Sequence, residues 1–299
     1  MFRLRRRPAM EWPALDRDPA YDDLVGRDAR DRAARGDWLA ARDALAGDDW
    51  ERRGVRVEEL ARVAAEDRGW LDAWLAATPG DPAAVLVDGA AKARRTEPGA
   101  EETLRRAAAL APDDPCPWVE LQRMLSDRAS VAAALREVKR RDPHSYAGQR
   151  AALRFAGSDR ERFAVARLAA GTAPSGAAAC ALPAEAHVEF ARRTIREPGA
   201  WDRRTLIALR RYFERDDVHD EIVAGTTRWR QGRGPRLIGP RHAEAVAYFF
   251  ADDRERLRTV IEEIHPYLGD AEPWNPFGKD HRGDALYVVA RNTVLNSPA

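Results

Sequence analysis

The chain has 299 residues, of which 50 are basic and 49 acidic, so its formal net charge is only +1. Hydrophobic residues make up 44% of the sequence and charged residues 33%, a balance typical of a globular protein and not of a disordered one. The near-zero net charge argues against a protein that binds nucleic acid through its overall charge.

The N-terminal residues 1–28 are rich in Pro, Asp and Arg and show little periodicity, so we predict an irregular arm. Arginines at positions 3, 5, 6 and 7 imitate the basic start of a signal peptide, but no apolar core follows them. No stretch approaches the roughly 18 apolar residues that a membrane span needs. We therefore expect a cytoplasmic protein that makes no membrane contact.

From residue 29 onward the pattern is helical. A Gly36-Asp37 turn precedes the first of three segments in which apolar residues recur at helical spacing. These residues are Trp38, Ala41 and Leu45; then Val57, Leu60 and Ala64; then Trp70, Leu71, Trp74 and Leu75.

Asp-Pro pairs recur after short segments rich in Ala and Leu, at Asp81-Pro82, Asp114-Pro115 and Asp142-Pro143. Their prolines are 33 residues apart (82 to 115) and then 28 (115 to 143), and Pro174 follows 31 later. Asp is a good N-cap and Pro is tolerated in the first helical turn, so each pair predicts a helix start. Helix starts at this period indicate stacked helical hairpins.

These segments resemble tetratricopeptide repeats. Residues 104–115 resemble the end of one repeat, and Trp118 and Leu121 lie where the next carries its aromatic residue and its Leu. Gly89 matches the small position of an earlier repeat, but Asp88 stands where the family has Leu, and the spacing departs from the standard 34. The resemblance covers roughly residues 30–175 and implies an all-α fold, a right-handed stack of antiparallel helical hairpins, with repeats over 29–175. No binding residues are carried over from the family.

A second internal similarity predicts that the hairpins continue over 176–299. Residues 155–163 resemble residues 250–257, and each stretch combines a helix end, an acidic turn and a new helix that opens with Arg-Glu-Arg. The sequence as a whole also resembles bacterial proteins from high-GC organisms, a resemblance that implies no activity.

Motifs for catalysis, cofactors or metals are missing from the sequence. His187 and Glu189 have the H-x-E form of the zinc deaminases, but no P-C-x-x-C follows. No phosphate-binding or nucleophile-elbow motif occurs. Cys116, at a predicted helix start, is better explained as a small buried residue than as a reactive thiol. We expect no catalytic, cofactor-binding or metal-binding residues and no cofactor.

One segment is distinctive in its charge. Residues 226–241 contain Trp229 and five arginines but no acidic residue, and three glycines and two prolines predict a loop. Segment 192–241 holds 13 Arg against seven acids, a charge of +6. Arginines with an interleaved Trp suit phosphate binding and base stacking. The competing interpretation, which we favour, is that they pair with acidic helices such as the one carrying Glu262 and Glu263. The candidate ligand-binding residues are Arg228, Trp229, Arg230, Arg233, Arg236 and Arg241.

The sequence thus favours a non-catalytic protein- or peptide-binding module whose partner it does not identify. The first alternative is an adaptor that binds nucleic acid or phosphate through residues 226–241. The second is an enzyme whose site no motif reveals.

Overall fold

The computed structural model describes residues 13–47, 49–195, 203–232, 234, 237–279 and 282–295. Within these residues there are 16 α-helices, and the only β-type pairing is an isolated bridge between Asp16 and Tyr267. The predicted all-α class is therefore confirmed.

The chain divides into two compact units. The larger unit comprises Asp22–Ala186 and Glu221–Leu237, and the smaller unit comprises Met1–Tyr21, His187–Asp220 and Ile238–Ala299. The division falls within α11 (Leu182–Phe190) and α13 (Asp216–Arg230), which have residues in both units.

Ten further helices belong to the larger unit. They are α1 (Leu24–Ala33), α2 (Trp38–Ala44), α3 (Trp50–Glu66), α4 (Gly69–Ala77), α5 (Pro82–Arg94), α6 (Ala100–Leu110), α7 (Cys116–Met124), α8 (Arg128–Arg141), α9 (Tyr146–Arg154) and α10 (Asp159–Thr172). The first helix begins inside the segment predicted to be irregular, because Asp23 caps it by accepting a hydrogen bond from the backbone N–H of Gly26.

Sequential pairing of helices builds the larger unit. Contacts join α1 to α2, α5 to α6, α7 to α8 and α9 to α10, while α3 contacts α5, α7 and α9 in turn. The predicted apolar stripes form one buried cluster, in which the rings of Trp38 and Trp74 stack with centroids 5.9 Å apart. Trp118 packs against this cluster but is only partly buried.

The Asp-Pro pairs have different outcomes. Asp81 caps α5 by accepting from the N–H groups of Ala83 and Ala84, and Asp114 accepts from that of Cys116 at the start of α7. The prediction at Asp142-Pro143 is wrong by three residues, because these residues form a turn and Ser145 is the cap of α9. No helix begins directly after Pro174.

The smaller unit contains α12 (Arg203–Phe213), α14 (Ile238–Phe250), α15 (Arg254–Ile264) and α16 (Gly283–Leu295). Its core is aromatic, with Phe213, Tyr248, Trp274, Phe277 and Tyr287 all fully buried. The similarity between residues 155–163 and 250–257 is borne out locally. In both places a helix ends, a polar residue (Ser158 or Asp253) caps the next one, and the two helices pack on each other.

Candidate functional site

The arginine-rich segment 226–241 is not a single loop. Arg228, Trp229 and Arg230 are the last residues of α13, and Arg241 lies in the first turns of α14. The loop prediction is wrong for these residues: α13 continues to Arg230, and α14 begins at Ile238 with Pro240 in its first turn, where a proline replaces no hydrogen-bonded N–H. Arg233 and Arg236 lie outside the described residues.

The contacts of this segment are internal. Trp229 is 3% exposed and belongs to a buried apolar cluster with Ala166 and Leu182. Arg228 donates to the carbonyl oxygens of Ala170 (2.8 Å) and Ala173 (2.5 Å), so it satisfies the C-terminal end of α10. The buried ring of Trp229 is not available to stack on a base. The N–H groups of Arg228 are bonded to backbone carbonyls of the local fold.

Arg241 pairs with a carboxylate, as the competing interpretation expects. Its Nη1 lies 2.6 Å from Oε2 of Glu263 on α15, and its side chain is almost fully buried. This ion pair joins α14 to α15 within the smaller unit.

His187, and His242 in the H-x-E sequence His242-Ala243-Glu244, have structural partners. Nδ1 of His187 lies 2.7 Å from the hydroxyl of Tyr212. Nδ1 of His242 accepts from Nε1 of Trp274, and its Nε2 donates to the carbonyl of Tyr267, both at 3.0 Å. Burial lowers the pKa of His242 to about 4, so its ring is neutral. Among the described residues no group of three or more His, Cys, Asp or Glu side chains is arranged to hold a metal ion.

A different set of charged side chains forms a surface feature that the sequence did not single out. We call it the charged seam. It runs over alternate helices of the larger unit and consists of Glu58 on α3, Arg94 on α5, Glu120 and Arg123 on α7, Arg150 on α9 and Glu185 on α11.

Arg123 is the centre of the first half of the seam. Its Nη1 lies 2.6 Å from Oε1 of Glu120 and 3.1 Å from Oε2 of Glu58, and Nη1 of Arg94 lies 3.9 Å from Glu58. Burial raises the pKa of Glu120, and Arg123 opposes that shift. The pKa of Arg123 is itself raised by Glu120 and Glu58, while nearby Arg150 acts in the opposite direction. The two halves of the seam are therefore electrostatically connected.

The second half of the seam is built on Glu185. Its carboxylate accepts from Nε of Arg150 at 2.9 Å and from the hydroxyl of Tyr146. Burial, and then the charge of Glu185, raise the pKa of Tyr146 well above its usual range, so the phenol stays protonated and donates.

The N-terminal end of α3 anchors the helices that carry the seam. The carboxylate of Glu51 accepts from the backbone N–H groups of Tyr146 (2.5 Å) and Ala147 (3.3 Å) at the start of α9. Burial raises the pKa of Glu51 to about 7. Nearby, Nε of Arg53 donates to Asp114 at 3.0 Å, and Asp114 caps α7. Hydrogen bonds between residues more than 60 positions apart in the sequence therefore fix the relative positions of α3, α7 and α9.

Cys116 begins α7 beside this anchor, but its thiol is not set up for reaction. Burial raises its pKa well above the usual value, and the neighbouring carboxylate of Asp114 raises it further. A buried thiol with a raised pKa is a poor nucleophile. The interpretation of Cys116 as a small buried residue is consistent with this environment.

The seam is open to solvent at its arginine edge. The side chains of Arg94 and Arg150 are 40% and 44% exposed, whereas those of Glu120 and Glu185 are 11% and 14% exposed. Glu120 and Glu185 therefore form a mostly buried floor, whereas Glu58 is 46% exposed like the arginines. Arginine can make bidentate bonds to carboxylates and carbonyls, so this edge is suited to binding polar groups of another chain.

The sequence held a weak signal for the seam. Its residues recur at intervals of 36, 29, 27 and 35 (58 to 94, to 123, to 150, to 185), close to the period of the Asp-Pro pairs. A comparison of equivalent positions in successive hairpins would have found them, whereas a search for catalytic motifs does not.

Comparison with models of protein families, with curated proteins and with solved structures gives no match for this chain. The resemblance to tetratricopeptide repeats accordingly stays a prediction. In the described part of the chain, no helix has both the length and the apolar character needed to cross a bilayer.

Proposed function

We propose that the larger unit is a non-catalytic module that binds a polypeptide partner through the charged seam. The observation that carries the proposal is the row of partly exposed arginines on the alternate helices α5, α7 and α9, beside the mostly buried carboxylates of Glu120 and Glu185. Such a surface offers directed donors to the carbonyls and carboxylates of a partner.

The proposal includes the finer description of the fold, a stack of helical hairpins of the tetratricopeptide type. Its support is the pairing of consecutive helices together with the contacts of α3 with α5, of α5 with α7 and of α7 with α9. In such stacks the first helices of successive hairpins line one continuous surface, which is commonly used for binding. The seam residues on α3, α5, α7 and α9 lie on helices of this kind.

The nucleic-acid alternative has less support from the segment that suggested it. Trp229 is buried, Arg228 binds backbone carbonyls, and Arg241 is paired with Glu263. No observation favours the enzyme alternative.

Affinity capture tests the proposal. The full chain is immobilised and incubated with an extract of its source cells, and the bound proteins are quantified by mass spectrometry. The test variant is R94A/R150A, which removes guanidinium groups from the exposed edge of the seam. The matched control is R136A/R160A, two exposed arginines on α8 and α10 that make no hydrogen bond or ion pair with a described residue.

We expect at least one protein to bind the wild type and the control but not the test variant, and to bind again when both partners are purified. A purified partner that binds R94A/R150A as tightly as the wild type would contradict a role for the seam. Nucleic acid recovered in place of protein would favour the first alternative.

A further inference from the structure

A second surface, on α12 of the smaller unit, is strongly basic. Four of the 13 arginines counted in segment 192–241 line one open pocket of about 780 Å³: Arg203, Arg204, Arg211 and Arg215. The first three are exposed and make no hydrogen bond or ion pair with any residue that the structure describes. Arg215 is paired with Asp217 at 2.7 Å. The pocket therefore presents three guanidinium groups that no carboxylate of the described residues neutralises.

The floor of the pocket is apolar. Ile207 is 40% exposed, although it is a large aliphatic side chain, and it lies beside Ala208 between the arginines. Tyr212 supports the floor but faces inward. Its ring is stacked on Phe190 at 5.1 Å, and its hydroxyl is bonded to His187. The pocket thus combines an aliphatic centre with a cationic rim.

The spacing of the rim is that of an α-helix. Arg204 and Arg211 are seven residues apart, so their Cα atoms are separated by about 10 Å along the axis of α12. Ile207 lies between them on the same face, because residues at i, i+3 and i+7 share one side of a helix. A second helix that packs on this face would place its own residues at i, i+3 or i+4, and i+7 opposite these three side chains.

From this arrangement we propose that the α12 pocket binds an acidic amphipathic helix of a partner protein. A large aliphatic residue of the partner packs on Ile207 and Ala208, and carboxylates one turn away on either side bind Arg204 and Arg211. Charge complementarity selects an anionic partner, and the aliphatic floor selects one with an exposed apolar side chain. This surface is separate from the charged seam, so the inference does not depend on the function proposed above.

A polypeptide fits the pocket better than a nucleic acid does. Single-stranded nucleic acid is held by aromatic rings on which bases stack. Among the described residues of segment 192–241, the aromatic side chains are not available for stacking, because Tyr212, Phe213 and Trp229 are 9%, 0% and 3% exposed. The exposed apolar group in the pocket is instead Ile207, an aliphatic side chain.

The test uses the full chain and a fluorescent synthetic helical peptide, in which a leucine is flanked one turn away on each side by glutamates. A matched peptide carries glutamine in place of every glutamate, and an oligothymidine strand serves as the nucleic-acid probe. Binding is followed by fluorescence anisotropy at low and at physiological salt.

We expect the acidic peptide to bind, and added salt to weaken its binding. R204E/R211E should lower the affinity by at least about tenfold, because two attractive charge contacts become repulsive. I207S should weaken binding through loss of the apolar contact. The control R136E/R160E, with the same change in net charge, should stay within about twofold of the wild type.

Several results would overturn the proposal: no binding of the acidic peptide, equal binding of the glutamine peptide, or an equal loss in the control variant. If oligothymidine binds more tightly than the peptide, and R204E/R211E fails to bind it, the pocket would be assigned to nucleic acid. Circular dichroism checks that each variant is folded. If R204E/R211E is not, R204Q/R211Q replaces it, with a smaller loss of peptide affinity expected.

Discussion

His242 provides the sharpest test of the smaller unit's core. The residue is fully buried, and its two ring nitrogens join Trp274 to the carbonyl of Tyr267. His242→Leu leaves both of these polar groups without that partner. A buried polar group that loses its partner costs roughly 1–3 kcal/mol, so we expect the variant to lose about 2–5 kcal/mol of unfolding free energy at pH 7.

The loss should depend on pH in a defined direction. The pKa of His242 is about 4 in the folded protein, against an ordinary value of 6.5. Between these values the unfolded chain binds more protons than the folded one, so wild-type stability falls as the pH falls. A difference of about 2.5 pKa units corresponds to roughly 3 kcal/mol. The leucine variant lacks this contribution. The difference in unfolding free energy between wild type and variant should therefore shrink by about that amount from pH 7 to pH 4.

The difference in unfolding free energy between wild type and His242→Leu must be measured, because another group changes wild-type stability with pH in the opposite direction. The pKa of Glu51 is raised to about 7, so its contribution is present below pH 4.5 and is lost as the pH rises through 7. The two effects partly cancel in the wild type. Urea unfolding of wild type and His242→Leu across this range, followed by circular dichroism, isolates the histidine. A gap that stays constant with pH would refute the assignment of His242 as a buried neutral base.

Four further predictions concern the larger unit. Glu51→Gln should make the unfolding free energy rise more steeply with pH between pH 4.5 and 7, because the opposing effect of His242 is no longer offset; a difference from wild type that stays constant over this range would contradict this. Gly225→Ala should lower the unfolding free energy by about 1–3 kcal/mol, because a Cβ atom there would lie 2.4 Å from the carbonyl oxygen of Cys180. Gly171→Ala is the control, because nothing lies within 4 Å of the added Cβ atom, and it should be neutral or stabilise the protein by up to about 1 kcal/mol. The thiol of Cys116 should react with a disulfide reagent only on unfolding, and fast labelling of the native protein would show that it is not buried. Trp118→Ala should cost about 2–3 kcal/mol, less than a fully buried Trp, and an unchanged melting temperature would mean that Trp118 does not pack on the core.

Local signals in the sequence predicted much of the helical structure. Asp81 caps α5, and Asp114 accepts from the first N–H of α7, because such bonds depend only on a side chain and the next few N–H groups. Asp142-Pro143 has the same composition but forms a turn, since Ser145 is placed to cap α9 and Glu51 binds the next N–H groups from far along the chain. The choice between these starts depends on a contact that spans 95 residues, which a local pattern does not contain.

The candidate surfaces show the same contrast between what a local sequence pattern contains and what only the folded chain brings together. The excess of arginine in segment 192–241 is visible in the sequence, but composition does not show which arginines are already bonded. Arg228 and Arg241 are bonded within the fold, whereas Arg204 and Arg211 are exposed on α12. The arginines on which the α12 proposal rests begin 24 residues before Arg228 in the chain (204 to 228). The charged seam was missed because its members come together only through helix packing.

Asp88 illustrates how the structure explains a departure from the repeat pattern. It stands where the tetratricopeptide family has Leu, yet it is buried and bonded to Arg68 at 3.1 Å and to Lys92 at 2.7 Å. The adjacent Gly89 lets α5 approach α6 closely, since a Cβ atom there would lie 2.8 Å from Leu104. The α5–α6 pair thus accommodates an ion-paired carboxylate at a position where the predicted repeat pattern expects Leu.

Site-specific photo-crosslinking tests the central claim, that the charged seam binds a polypeptide, most directly. A benzophenone amino acid is placed at the position of Arg94, on the exposed edge of the seam, and in a control at the position of Arg160. After irradiation in the source cells, we expect a covalent adduct with a defined polypeptide at position 94 and none at position 160. Equal labelling at both positions, or no polypeptide adduct at position 94, would contradict it.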